Sequence, residues 1–147
     1  MSGARMTQID YRIFAEADYP AARKLWESIE GIGLSEADAP EAIARYLGRN
    51  SGLSFIAVAG DQLVGTILCG HDGRRGFIHH LAVRPDRQRQ GIGSELLRRA
   101  LRALAAEKIE KCHLFVFRKN ASGCEFWRRI GGEERVDLAM FSLSPDR

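Results

Sequence analysis

Hydrophobic and polar positions follow two periods along the first third of the chain, and each change of period marks a new element. Strict alternation over Ile9–Ile13 predicts a first strand. Two helical stripes follow, and each has the spacing of one buried helix face. Asp18 is expected to cap the first helix, and Ser35 or Asp38 to start the second. The stripes consist of Ala22, Leu25, Trp26 and Ile29, then of Ala42, Ile43, Tyr46 and Leu47.

The middle of the chain has short apolar runs separated by turn residues. Runs over 53–59 and 63–69, joined by Gly-Asp-Gln, predict a hairpin. A third run over 77–83 predicts a fourth strand, which Pro85 ends because proline cannot donate to a strand pairing. Residues 95–105 return to the helical period and predict an amphipathic helix.

The last third predicts a strand over 114–117, a short helix over 122–130 and a final strand over 136–143. The complete order is strand, two helices, three strands, helix, strand, helix, strand. This order predicts an α/β (α+β) fold with a mixed, mostly antiparallel central sheet flanked by helices. We expect one domain over 1–147, with a loose tail over 1–5.

The chain has 147 residues, 45% of them hydrophobic and 28% charged, and these values fit a globular domain with a substantial core. No run approaches the ~20 apolar residues of a membrane span, and no signal peptide is evident. Three cysteines without metal-ligand spacing to a histidine indicate reduced thiols and no metal site. We therefore expect a cytoplasmic protein without membrane or nucleic-acid partners.

The most informative motif is Gln88-Arg89-Gln90-Gly91-Ile92-Gly93, which joins the fourth strand to the long helix. A strand, a glycine-bearing loop and a helix can hold a phosphate against backbone N–H groups. The motif lacks the three glycines of the dinucleotide fingerprint and the Gly-Lys-Ser/Thr of a Walker loop. An ordinary turn before a helix is the alternative that these residues alone leave open.

Together with the preceding Leu81-Ala82-Val83-Arg84-Pro85, the loop resembles the pyrophosphate-binding signature of the GNAT superfamily of acyl-CoA N-acyltransferases. The segment from Asn120 to Gly131 is similar to that family's second signature. The resemblance extends over nearly the whole chain and implies acetyl-CoA as cosubstrate. The residues that it implies for cofactor binding are Leu81, Ala82, Val83, Gln88, Arg89, Gln90, Gly91, Ile92, Gly93, Ser94 and Asn120. Nearby arginines that can assist with the 3′-phosphate are Arg84, Arg87, Arg89 and Arg98.

The catalytic groups are less well defined. The family often has a tyrosine acid where this chain has Trp127, and some members have a glutamate where it has Phe115. The stretch 77–83 resembles the His-x-His-x-Leu-Ala-Val of arylalkylamine N-acetyltransferases, whose second histidine falls on His79. His79 and His80 are therefore the candidate catalytic residues, against the alternative that both are ordinary sheet residues. Adjacent strand residues point to opposite faces, so one histidine is expected to face the cleft.

These features predict an N-acetyltransferase that moves an acetyl group to a primary amine of a small molecule or peptide, by direct attack in a ternary complex. The missing tyrosine and glutamate favour a non-catalytic acyl-CoA-binding or sensor module as the alternative. A homodimer is possible. An acidic bias in the first two helices favours a cationic amine, although an ordinary helix surface is the alternative; it consists of Glu27, Glu30, Glu36, Asp38 and Glu41.

Overall fold

The structure is a computed structural model that describes residues 8–146, which form two compact units, 8–115 and 116–146. The expected tail over 1–5 lies outside the described residues. The first unit contains five strands, which form one sheet in the order β1-β2-β3-β4-β5. The strands are β1 (Ile9–Ile13), β2 (Phe55–Ala59), β3 (Gln62–His71), β4 (Gly76–Val83) and β5 (Cys112–Leu114). The first four pair antiparallel and β5 pairs parallel to β4, which confirms the mixed, mostly antiparallel sheet.

Three α-helices of the first unit cover both faces of this sheet. They are α1 (Tyr19–Glu27), α2 (Pro40–Arg49) and α3 (Ile92–Ala106). Successive residues of β3 show the two sides. A Cβ atom on Gly65 would lie 3.1 Å from Leu96 of α3, whereas the hydroxyl of Thr66 bonds to Trp26 of α1. Because neighbouring strand residues point to opposite faces, α1 and α3 lie on opposite sides of the sheet.

The core beneath α1 and α2 follows from the predicted helical stripes. Trp26 and Ala22 of α1 are completely buried, and Ile43 of α2 is 2% exposed. A short 3-10 helix, Glu36–Asp38, precedes α2, and Pro40 occupies the first turn of α2, where its missing N–H leaves no hydrogen bond unmade. The buried cluster consists of Phe14, Ala22, Leu25, Trp26, Ile43, Ile56, Leu68 and Ala82.

The second unit contains one helix, α4 (Ala121–Arg129), close to the predicted range. Two strand predictions near this end of the chain are wrong. The fifth strand lies at Cys112–Leu114 rather than over 114–117, and none of the described residues beyond 130 is in a strand. Residues 136–143 alternate as a strand would, but they form no ladder within their own unit, and Phe141 is 88% exposed. Alternation alone cannot stabilise a strand, because its backbone groups need a partner strand.

None of the helices among residues 8–146 is both long enough and apolar enough to span a bilayer.

Candidate active site

A β-bulge in β4 brings both candidate histidines to one face of the sheet. The pairing between β3 and β4 shifts between Thr66 and Leu68, so β4 has an additional residue there. The backbone of His80 adopts a positive φ of +47° at this point. Both imidazoles consequently lie beside helices of the same face, with aromatic rings of α1 or α2 at 4.6 and 6.2 Å. The expectation that the two histidines point to opposite faces is wrong, because it assumes a regular strand.

His79 is the exposed member of the pair. Its ring lies 6.2 Å from the ring of Tyr46, in an edge-to-face arrangement. Although exposed, the imidazole loses part of its hydration to the surrounding protein. This desolvation, followed by the influence of His80, lowers the pKa of His79 below its ordinary value of 6.5, while Asp38 acts in the opposite direction. The neutral form of His79, which can accept a proton, therefore predominates at neutral pH.

Tyr46 is poorly suited to take the role of the tyrosine acid that the family often has at the position of Trp127. Its hydroxyl is buried and has no hydrogen-bond partner among the described residues. Burial also raises the pKa of Tyr46 well above its ordinary value. A buried phenol that holds its proton so firmly is poorly suited to deliver it to a leaving group at neutral pH.

Both the side chain and the backbone carbonyl of His80 form hydrogen bonds. Its Nε2 lies 2.7 Å from Oδ1 of Asp38, and the two side chains are 13% and 9% exposed. Its ring lies 4.6 Å from that of Trp26. Its carbonyl accepts a hydrogen bond of 2.8 Å from the hydroxyl of Thr66, which in turn accepts one of 2.9 Å from Trp26 Nε1.

The sequence groups Asp38 with an acidic cluster that an ordinary helix surface would explain. In the structure, it is the one charged residue among the buried residues of the range 8–146, and the residue as a whole is 6% exposed. The sequence does contain a signal for its inward orientation. Ser35 and Asp38 form a capping box, in which Oδ2 of Asp38 accepts from the backbone N–H of Ser35 at 3.0 Å. The reciprocal cap turns the carboxylate back toward the chain, where His80 meets its other oxygen.

Within residues 8–115, the outer edge of β4 lacks a strand partner along the half that contains the histidines. Pairing with β5 ends at Ile78 and Leu114. Beyond that register, the residues from His79 to Val83 pair only with β3 within the first unit. Backbone groups on this side of Leu81 to Val83 are thus available to an extended ligand that binds as an additional strand would.

The glycine loop follows directly from this edge. Nε2 of Gln88 donates to the carbonyl of Val83 at 3.1 Å and fastens the loop to the end of β4. Arg89 and Gly91 have positive φ values of +66° and +85°. A Cβ atom added at Gly91 would meet nothing within 4 Å, so open space adjoins the backbone there. Helix α3 begins at Ile92, and its first N–H groups have no intrahelical acceptors, which favours an anion at this position.

The four arginines near the loop differ in their present partners. Arg84 forms an ion pair with Asp86 at 2.7 Å, and Arg98 forms one with Glu95 at 2.6 Å. Hydrogen bonds from Arg98 and then its neighbour lower the pKa of Glu95 to about 2. Neither Arg87 nor Arg89 forms an ion pair with any residue in the range 8–146. These two guanidinium groups are the ones available to a phosphate.

In the second unit, Asn120 is the N-cap of α4. Its Oδ1 accepts from the backbone N–H of Gly123 at 3.0 Å, which leaves the amide nitrogen as a donor. Trp127, at the position of the family's tyrosine, lies within α4 and packs edge-to-face on Phe126, with ring centroids 5.1 Å apart. An indole has no proton that it can release at neutral pH. The role of Asn120 in cofactor binding stays a prediction.

Comparisons with known proteins identify the family of the chain and its fold. The family model described as "Acetyltransferase (GNAT) family" matches residues 11–132. An acetyltransferase of Pectobacterium atrosepticum is 34% identical over 113 residues, which are 76% of this chain and 79% of the relative. The fold is similar to that of the aminoglycoside N-acetyltransferase AAC(6')-Iy in complex with CoA, with a TM-score of 0.76, 18% identity and coverage of 97% and 98% of the two chains. It is also similar to the PaiA N-acetyltransferase of Thermoplasma acidophilum in complex with coenzyme A, with a TM-score of 0.71, 23% identity and coverage of 84% and 89%. The chain therefore belongs to the GNAT family of acetyltransferases, enzymes whose cosubstrate is acetyl-CoA.

Proposed function

We propose that this acetyltransferase moves the acetyl group of acetyl-CoA to a primary amine of a small molecule or peptide, by direct attack within a ternary complex. The observation that carries the proposal is the exposed His79, with its lowered pKa, at the unpartnered edge of β4. The names of similar structures support an amine acceptor, since they include aminoglycoside N-acetyltransferases.

The donor half of the site fits a phosphorylated cofactor. When bound, acetyl-CoA supplies an activated acetyl thioester. The open space beside Gly91 and the first turn of α3 suit its pyrophosphate, because backbone N–H groups can approach closely where there is no Cβ atom. Arg87 and Arg89, which form no ion pair within residues 8–146, are proposed to attract the 3′-phosphate. The free edge from Leu81 to Val83 offers backbone groups to the pantetheine arm.

The acceptor amine needs a base. A lysine-type amine has a pKa of about 10.4, so nearly all of it is protonated at neutral pH. We propose that His79, directly or through a water molecule, accepts the proton that the amine must lose. A lowered pKa keeps the imidazole unprotonated and ready at neutral pH, although it also weakens the base. N–H groups near Leu81 would polarise the reacting carbonyl.

The acceptor is proposed to be cationic. Glu36, shortly before α2, and Glu41, in the first turn of α2, are exposed carboxylates, whereas Glu27 is already paired with Arg23 at 2.8 Å. Carboxylates near an acceptor site attract an ammonium group and raise its local concentration. Diamines and aminoglycosides are accordingly the first compounds to test.

The experiment is a screen for thiol release from acetyl-CoA across diamines, aminoglycosides, amino acids and short peptides. Mass spectrometry then determines whether an acetyl group is attached to the amine of the acceptor. Turnover with at least one primary amine supports the proposal. Binding of acetyl-CoA without turnover of any amine would contradict it and would favour the alternative, a non-catalytic acyl-CoA sensor.

A further inference from the structure

The bulge at His80 requires an explanation, because its backbone is in a conformation that residues with a Cβ atom avoid. His80 has φ +47°, and this left-handed region is common for glycine, while histidine adopts it far less often. Such conformations persist only where surrounding contacts hold them, and they concentrate at functional sites.

Two independent sets of contacts hold His80. On the side chain, Nε2 bonds to the carboxylate of Asp38 at 2.7 Å. On the backbone, the carbonyl of His80 accepts from Thr66, which is itself fixed by Trp26. Trp26 and Thr66 are completely buried, so the hydrogen bond between them does not compete with water.

Asp38 is in turn immobilised by the elements around it. Its second carboxylate oxygen accepts from the backbone N–H of Ser35 at 3.0 Å. Its backbone carbonyl accepts from the hydroxyl of Tyr19 and from Arg23 at 3.2 Å, both on α1. A carboxylate fixed at both ends can anchor the imidazole of His80 with little entropic cost.

From these contacts we propose that Asp38 and His80 are positioning residues for acetyl transfer, and that their contact holds the β4 bulge in its left-handed conformation. The inference rests on the proposed function. The bulge lies between His79 and Leu81, so its geometry determines where the proposed base and the proposed carbonyl-polarising N–H groups lie. Nε2 of His80 is committed to a buried carboxylate, so this nitrogen does not act on the acceptor amine.

Two substitutions at one position separate positioning from direct catalysis. His80→Gly and His80→Ala remove the same imidazole and leave the same unpaired carboxylate. They differ in the cost of a positive φ, which glycine adopts freely and alanine does not. The proposal predicts that kcat of His80→Ala is lower than that of His80→Gly by roughly tenfold. Equal loss in both variants would show that the imidazole itself is needed, and would overturn the proposal.

Asp38→Ala tests the other partner, with Ser35→Ala as its matched control. Ser35→Ala removes the hydroxyl that caps the same short helix at 3.2 Å but keeps the backbone N–H that holds Asp38. Asp38→Ala should lower kcat about tenfold or more and change the KM for acetyl-CoA less than threefold, whereas Ser35→Ala should change neither appreciably. An equal loss of kcat in both variants would indicate that the turn merely stabilises the fold, and would contradict the proposal.

A double-mutant cycle completes the test. If the two residues act only through each other, the double variant Asp38→Ala/His80→Ala has the same kcat as the less active of the two single variants. Multiplicative losses would refute the pairing.

If Asp38→Ala fails to fold, Asp38→Asn takes its place, since its amide oxygen can still accept from His80. Asp38→Asn should retain more activity than His80→Ala. Turnover by the wild-type enzyme separates the two claims: without it the proposed function fails, whereas with it and unaffected variants only the positioning inference fails.

Discussion

Thr66 links Trp26 to the backbone of His80 through two hydrogen bonds beneath the candidate site. The substitution Thr66→Val tests both bonds together. Valine has nearly the same shape but no hydroxyl. The substitution therefore leaves two polar groups unpaired, the indole N–H of Trp26 and the carbonyl of His80. Each buried group that loses its partner costs about 1–3 kcal/mol, and the additional methyl contributes about 1 kcal/mol in return. The expected loss is therefore about 3 kcal/mol of unfolding free energy.

Urea unfolding followed by circular dichroism measures this loss. With a slope of about 1.5–2 kcal/mol per M, the midpoint should fall by about 1.5–2 M. Thr66→Ser is the matched control, because it keeps the hydroxyl and loses one methyl, at about 1 kcal/mol. If burial of apolar surface alone decided stability, Thr66→Val would be more stable than both the wild type and Thr66→Ser, because the position is completely buried. A Thr66→Val protein that is as stable as Thr66→Ser would refute the hydrogen-bond account.

Three further predictions concern the loop and the proposed base. Gly91→Glu should bind acetyl-CoA at least tenfold more weakly than Gly91→Gln, as measured by calorimetry. The glutamine variant imposes the same backbone strain without the charge. Equal affinities of the two variants would contradict a phosphate at this position. Arg87→Ala and Arg89→Ala should weaken coenzyme A binding severalfold and dephospho-coenzyme A binding less, while Arg102→Ala, on the exposed face of α3, should change neither; the opposite pattern would remove these arginines from the 3′-phosphate site. The NMR signal of the His79 imidazole, identified by its absence from the spectrum of His79→Gln, should titrate with a midpoint below pH 6.5. Because its folded pKa is depressed, its contribution to stability is present above pH 6.5 and is lost as the pH falls, and a midpoint at or above 6.5 would contradict the assigned desolvation.

Local patterns in the sequence predict most of the fold. The hairpin of β2 and β3 has its turn residues between two apolar runs, and α1 and α2 have complete apolar stripes. The glycine loop is equally local, since Gly91 and the start of α3 are adjacent in the chain. Each of these features depends on interactions between residues a few positions apart, and propensity and periodicity describe such interactions well.

The features that the sequence did not predict depend on pairing between distant segments. The bulge at His80 results from the register of β3 against β4, and no residue near His80 indicates it. The partnership of His80 with Asp38 joins residues 42 positions apart. The strand expected over 136–143 fails for the same reason, because alternation shows that a segment is compatible with a sheet but does not supply the neighbouring strand.

The central claim is that His79 accepts the proton of an amine that is acetylated at the edge of β4. The most direct test is the rate of thiol release from acetyl-CoA, measured with a saturating amine for the wild-type enzyme, His79→Ala and His71→Ala. His71 is the last residue of β3 and bonds to Glu107, so it serves as the histidine control. The account predicts that His79→Ala lowers kcat about 100-fold or more, with acetyl-CoA affinity little changed and His71→Ala near wild type. An unchanged kcat in a folded His79→Ala protein would contradict it.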